Sequence, residues 1–95
     1  MLKSYESIFI LSPDLLEDST KNLVEKFKNL LSTSGQLEKI EEWGKRKLAY
    51  PIDYKTEGYY VLANFKSEPE FPHELERIYK ITEGVIKYII LKNDE

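Results

Sequence analysis

The chain has 95 residues, 41% of them hydrophobic and 33% charged, which is enough for a single domain spanning 1–95 and too apolar for a disordered chain. It contains no cysteine, which excludes disulfides, thiolate metal sites and cysteine nucleophiles together and agrees with a reducing cytoplasm. Fourteen Lys and Arg stand against 17 Asp and Glu, a net charge of −3, so bulk charge argues against a nucleic-acid partner and any such role must come from local distribution.

No apolar run approaches the roughly 18–20 residues that a bilayer crossing requires. The start, Met1 to Glu6, lacks an apolar signal region and a small-residue cleavage site, so export is not expected. Ser4 to Leu11 reads as a strand, rich in aromatic and β-branched residues and closed by Ser12-Pro13-Asp14. Asp14 or Asp18 offers a cap for a helix running to about Ser32. Leu16, Leu23, Val24, Phe27, Leu30 and Leu31 fall on one face of it, while Lys21, Glu25, Lys26 and Lys28 face water. Ser34-Gly35 ends it, with the glycine suited to a left-handed C-terminal position.

Leu37 to about Tyr50 reads as a long strand, and Pro51 to Gly58 as a turn-rich connection. Tyr59 to Lys66 returns beside it, with Tyr59, Val61, Ala63 and Phe65 on one face and Tyr60, Leu62, Asn64 and Lys66 on the other. Pro72 suits the first turn of a second helix that carries Leu75, Ile78 and Tyr79 inward and ends at Thr82-Glu83-Gly84. Val85 to Leu91 is the last strand.

The order βαββαβ predicts an α+β, ferredoxin-like split βαβ sandwich. Right-handed crossovers put both helices on one face of a four-stranded antiparallel sheet in the spatial order 4-1-3-2. The opposite face is then open. The first and last strands are apolar on both sides, and Tyr60 and Leu62 point outward, so something is expected to cover part of that face. A protein partner or a second copy fits as well as RNA.

Candidate chemistry is sparse. His73 is the only histidine, near the start of the second helix with no ligand-type neighbours in sequence, and reads as a solvent-facing residue rather than a metal or triad residue. Glu41 and Glu42 are adjacent in a strand and point to opposite faces, so they cannot flank one substrate. The four glycines are scattered and build no phosphate-cradling loop. No cofactor, metal or small-molecule substrate is therefore expected.

The strongest local signal is Gly44 to Pro51. Lys45, Arg46 and Lys47 follow one another with no intervening acid, and Leu48-Ala49-Tyr50 adds an apolar and aromatic stretch. Alternation puts Lys45 and Lys47 on one face and Arg46, Leu48 and Tyr50 on the other, unless a bulge at Gly44 shifts the phase. Such a segment can meet phosphates, and a guanidinium beside a tyrosine can stack on a splayed base. It can equally be a charged edge strand that discourages sheet-to-sheet aggregation, and on spacing alone that reading leads. Trp43 is either a core aromatic or an anchor for a partner. Lys3, Lys87 and Lys92 flank the first and fourth strands, neighbours in the 4-1-3-2 order, and Lys3 and Lys92 are expected near one rim of the sheet.

Taken in order, Tyr5-Glu6, the strand Ile8 to Leu11 with Pro13-Asp14-Leu15, the run Trp43-Gly44-Lys45-Arg46-Lys47-Leu48-Ala49-Tyr50-Pro51-Ile52 and Glu57-Gly58-Tyr59-Tyr60 resemble the bacterial small-subunit ribosomal protein six family over nearly the whole chain. The resemblance implies a ferredoxin-like fold, no catalysis, and binding to small-subunit ribosomal RNA together with ribosomal protein eighteen during platform assembly on the cytoplasmic ribosome. That partner is typically basic, which would account for the acidic balance here. Some family members carry a long C-terminal tail, whose functions are not carried over to Lys92-Asn93-Asp94-Glu95. Carried to positions, the expected RNA contacts are Lys3, Tyr5, Lys45, Arg46, Lys47, Tyr50 and Lys92, and the expected partner surface is Trp43, Tyr60 and Leu62. The competing reading is a small ferredoxin-like regulatory or oligomerisation domain that uses its open sheet face.

Overall fold

A computed structural model describes residues 1–52 and 54–93. Its elements are β1 (Lys3–Leu11), α1 (Glu17–Ser34), β2 (Gly35–Ile52), β3 (Lys55–Ser67), α2 (Phe71–Ile81) and β4 (Val85–Lys92). All neighbouring strands pair antiparallel in the order β2-β3-β1-β4, which is the expected 4-1-3-2 order read from the other edge. The fold is ferredoxin-like.

Alternation along the strands sorts the side chains into two faces. Tyr5, Phe9 and Leu11 of β1 and Val61, Ala63 and Phe65 of β3 meet Val24, Phe27 and Leu31 of α1 and Leu75 and Tyr79 of α2 in one buried cluster. Phe9, Phe27 and Tyr79 close on one another with ring centres 4.8–5.3 Å apart, each pair adding about 0.5–1.5 kcal/mol beyond area burial. Ser7 lies on the same face and is fully buried; its hydroxyl shares a 2.8 Å hydrogen bond with the Tyr79 hydroxyl, which satisfies both polar groups.

Three local expectations are corrected. First, α1 has neither Asp14 nor Asp18 as its cap. Leu16 stands at the cap position with no side-chain hydrogen bond, Asp18 lies inside the first turn, and the Asp14 carboxylate is drawn to Lys55 at 3.4 Å. Glu17 and Asp18 still favour that helix end by placing negative charge against the dipole. Leu16 itself is largely exposed, because it precedes the turn that packs on the sheet.

Second, Gly35 is not a left-handed helix cap. Its backbone is extended (φ −176°) and already pairs with Ser67 as the first residue of β2, so helix passes to strand with no residue between. A Cβ at Gly35 would collide with the Lys66 carbonyl oxygen, and this close approach is what requires glycine. Third, Pro51 to Gly58 is not one long connection. β2 continues through Ile52, which pairs opposite Lys55 at the start of β3, and Asp53 of that connection lies outside the described residues. Proline is tolerated at 51 because β2 is an edge strand, with one side of its backbone facing no neighbour.

Candidate nucleic-acid interface

The basic run lies where β2 departs from regular pairing. Glu42 stands opposite Val61 and Gly44 opposite Tyr60, which leaves Trp43 as an extra residue, a β-bulge. Gly44 adopts φ +78°, a conformation that a side chain would strain. The bulge brings Trp43 to the open face, where its ring stacks on Tyr60 with centres 6.5 Å apart and planes 14° from parallel. Beyond the bulge, Arg46 returns to that face and its guanidinium lies 5.3 Å from the Trp43 ring centre. Arg46 pairs opposite Gly58, whereas Lys45 and Lys47 pair opposite Tyr59 and Glu57 in the alternate phase.

The two glutamates ahead of the bulge diverge as expected. Glu41 accepts from the Trp43 indole N–H at 3.3 Å and faces Lys39 at 3.2 Å; the indole bond first, and the lysine second, hold its carboxyl below the usual range. Glu42 accepts from the Tyr59 hydroxyl at 2.8 Å on the helix side. Burial, and then this carboxylate, push the Tyr59 phenol up to about 12.

Tyr50 does not stand alone at the strand end. Lys87 of β4 donates to its hydroxyl at 2.6 Å and sits 4.6 Å from the ring centre. The open face near the hairpin thus carries Trp43, Tyr60 and Tyr50 interleaved with Arg46 and Lys87, rings and cations in direct contact. Lys87 belongs with these residues, although its place on β4 is 37 residues from Tyr50 in sequence. Only the pattern of a lysine in an otherwise apolar strand hints at it. Among the described residues, no carboxylate forms a salt bridge with Lys3, Lys45, Arg46, Lys47, Lys87 or Lys92.

The other expected cations lie elsewhere. Lys3 begins β1, Lys92 pairs opposite Tyr5 at the end of β4, and both line a shallow cleft with Ser4, Gln36 and Lys66. β1 runs its whole length between this rim and the hairpin end, about 26 Å at 3.3 Å per residue. The basic residues therefore form two groups at opposite ends of the sheet.

Two expected site residues are corrected. Tyr5 is 7% exposed and stacks on Phe65 at 5.6 Å in the core under the helices, so its ring is not presented to a nucleic acid. Leu62 does point to the open face, but it is 8% exposed, set between Ile8 and Glu41 on the neighbouring strands, and so is not an exposed partner contact. Trp43 is 38% exposed, and Tyr60 is half-buried beneath it. Ile89 and Leu91 are the large apolar side chains that the open face exposes along β4. Among the described residues, no helix is long and apolar enough to cross a membrane.

Known proteins share both sequence and shape with the chain. The family model for Ribosomal protein S6 matches residues 4–92. Small ribosomal subunit protein bS6 of Caldanaerobacter subterraneus subsp. tengcongensis is 54% identical over 95 residues, covering 99% of this chain and 100% of that protein. The protein of the same name from Thermoanaerobacter pseudethanolicus is 56% identical with the same coverage. The crystal structure of 30S ribosomal protein S6 from Thermotoga maritima superposes with a TM-score of 0.91 at 33% identity, covering 98% of this chain and 89% of that one. With residues 4–92 matched and the whole βαββαβ sandwich superposed, the chain belongs to the ribosomal protein S6 family of the small ribosomal subunit, which is not a family of enzymes.

Proposed function

We propose that this protein acts as a single domain on the cytoplasmic ribosome, binding small-subunit ribosomal RNA together with ribosomal protein eighteen during assembly of the platform, with no catalytic activity. The observation that carries the reading is the bulged end of β2. It holds Arg46 against the Trp43–Tyr60 stack and aims Lys45 and Lys47 to the other side, so cations reach both flanks of one strand. Phosphates are met by the lysines, and an unpaired base finds a ring or a guanidinium plane. Lys3 and Lys92 supply a second phosphate contact at the far rim. The acidic surplus and the exposed Ile89 and Leu91 of the open face suit a basic protein partner, with Trp43 and Tyr60 at the border between protein and RNA.

The decisive experiment is co-sedimentation with small ribosomal subunits across a salt series, using wild type and the Lys45→Glu, Arg46→Glu, Lys47→Glu variant with protein eighteen present. Wild type should co-sediment and be stripped by high salt, while the variant should fold normally and dissociate at lower salt. Equal retention of the two proteins at every salt concentration would remove the hairpin from the RNA interface. The exposed apolar residues on β4 favour one other reading, a domain that associates through its sheet face. In that case the chain would self-associate and ignore the subunits.

A further inference from the structure

The end of β2 makes a contact that the strand order does not supply. β2 and β4 are opposite edges of the sheet, with β3 and β1 between them. At about 4.8 Å per strand spacing they would stand about 14 Å apart in a flat sheet. Yet Tyr50 of β2 and Lys87 of β4 share a 2.6 Å hydrogen bond. The long side chains of Tyr50 and Lys87 therefore meet above β3 and β1 on the open face.

Beneath this contact Ile10 and Leu48 are 6% and 7% exposed, although neither belongs to the cluster between sheet and helices. Their methyl groups converge on Gly58, where a side chain would run into Ile10. Little else holds residues 48–51 down. The register of β2 with β3 breaks between Lys47 and Ile52, and Leu48 is the only side chain from Lys45 to Pro51 that is buried. Residues 48–51, between the Lys47–Glu57 and Ile52–Lys55 pairs, are tied by one buried side chain and one exposed hydrogen bond and open far more easily than the sheet unfolds.

We propose that residues 48–51 form a strap that closes over the hairpin end of the open face and is latched by Lys87 on Tyr50. Closed, it hides Ile10 and Leu48, which limits the apolar surface that the free protein shows to other copies of itself. Opened, it joins them through Ile8 to the exposed Ile89 and Leu91 in one continuous apolar surface. The strap thus sets how much of the sheet face is on offer to a partner.

Amide hydrogen exchange on the full chain alone, comparing wild type with Tyr50→Phe, Lys87→Met and the double variant, tests this without RNA or a protein partner. In wild type, amides of residues 48–50 should exchange while those of 61–66 stay protected. Each single variant should speed exchange of the strap by about 2- to 10-fold, the worth of one such hydrogen bond. The double variant should add nothing further, since both changes break the same contact. Strap amides that exchange only with the whole sheet in wild type would overturn the proposal. So would variant rates equal to wild type, or variants that speed every segment alike.

Discussion

Ser7 and Tyr79 show how one residue can be misread from its neighbours. A serine in β1 interrupts what would otherwise be an apolar face, and nothing local says that its hydroxyl is answered 72 residues away. Replacing Tyr79 with Phe strands the Ser7 hydroxyl in the core, and should cost about 1–3 kcal/mol in urea denaturation. Ser7→Ala strands the Tyr79 hydroxyl in the same way. The double variant should cost clearly less than the sum, because no orphan remains; simple additivity would mean that the two hydroxyls do not interact. The same alternation accounts for Tyr5. Read strictly, it shares a face with Phe9 and Leu11, and its burial is legible from spacing; the resemblance to an RNA-binding family draws it to the surface instead. A second residue-scale expectation concerns alkaline pH. The Tyr59 phenol stays protonated in the folded chain to about pH 12, while in the unfolded chain it ionises near its ordinary value of 10.0. Its contribution to stability is therefore complete below pH 10 and is lost as pH climbs from 10 towards 12. Melting followed across that window should fall less steeply for Tyr59→Phe than for wild type, and identical slopes would show that Tyr59 is not responsible.

At the scale of elements, the sequence reads well wherever a segment repeats its own pattern. The inward positions of β3 and the buried stripe of α1 follow from periods of 2 and 3.6, and their side chains do line the core. Connections are less legible, for physical reasons. Gly35 looks like a helix terminator because glycine usually is one there; its actual task, letting β2 start against the Lys66 carbonyl, depends on a strand 31 positions later. Pro51 and Gly58 look like turn residues, but one sits on an unpaired edge and the other makes room for Ile10. A tertiary neighbour dictates the residue type in each case. Sequence pattern gives the bulge at Trp43 only as a condition on phase, and the bulge is what gathers Trp43, Arg46 and Tyr60 on one face. Nothing in local sequence ties Lys87 to Tyr50, since the contact joins side chains from the two opposite edges of the sheet.

For the whole molecule, the separation of the cations into two end groups has a measurable consequence. Sites about 26 Å apart and without shared partners should act independently, so Lys3→Glu with Lys92→Glu, and the triple change at 45–47, should weaken RNA association by factors that multiply. Removing a side chain that neutralises one phosphate should also reduce the magnitude of the salt slope by about 0.7 on a log–log scale for single strands. A far-rim variant that binds like wild type at all salt concentrations would confine the interface to the hairpin. The join at Gly35 bears on change in length as well as on stability. With no spacer between α1 and β2, one added residue at 34–35 has nowhere to loop out, and the two-residue period of the strand would turn the inward Leu37 outward, up to the first register break of β2 at Glu38. Extra residues between α1 and β2 should therefore lower the melting temperature clearly more than the same insertion between α2 and β4, at Glu83. Members of this lineage are then expected to vary in length at the second helix–strand junction and hardly at all at the first.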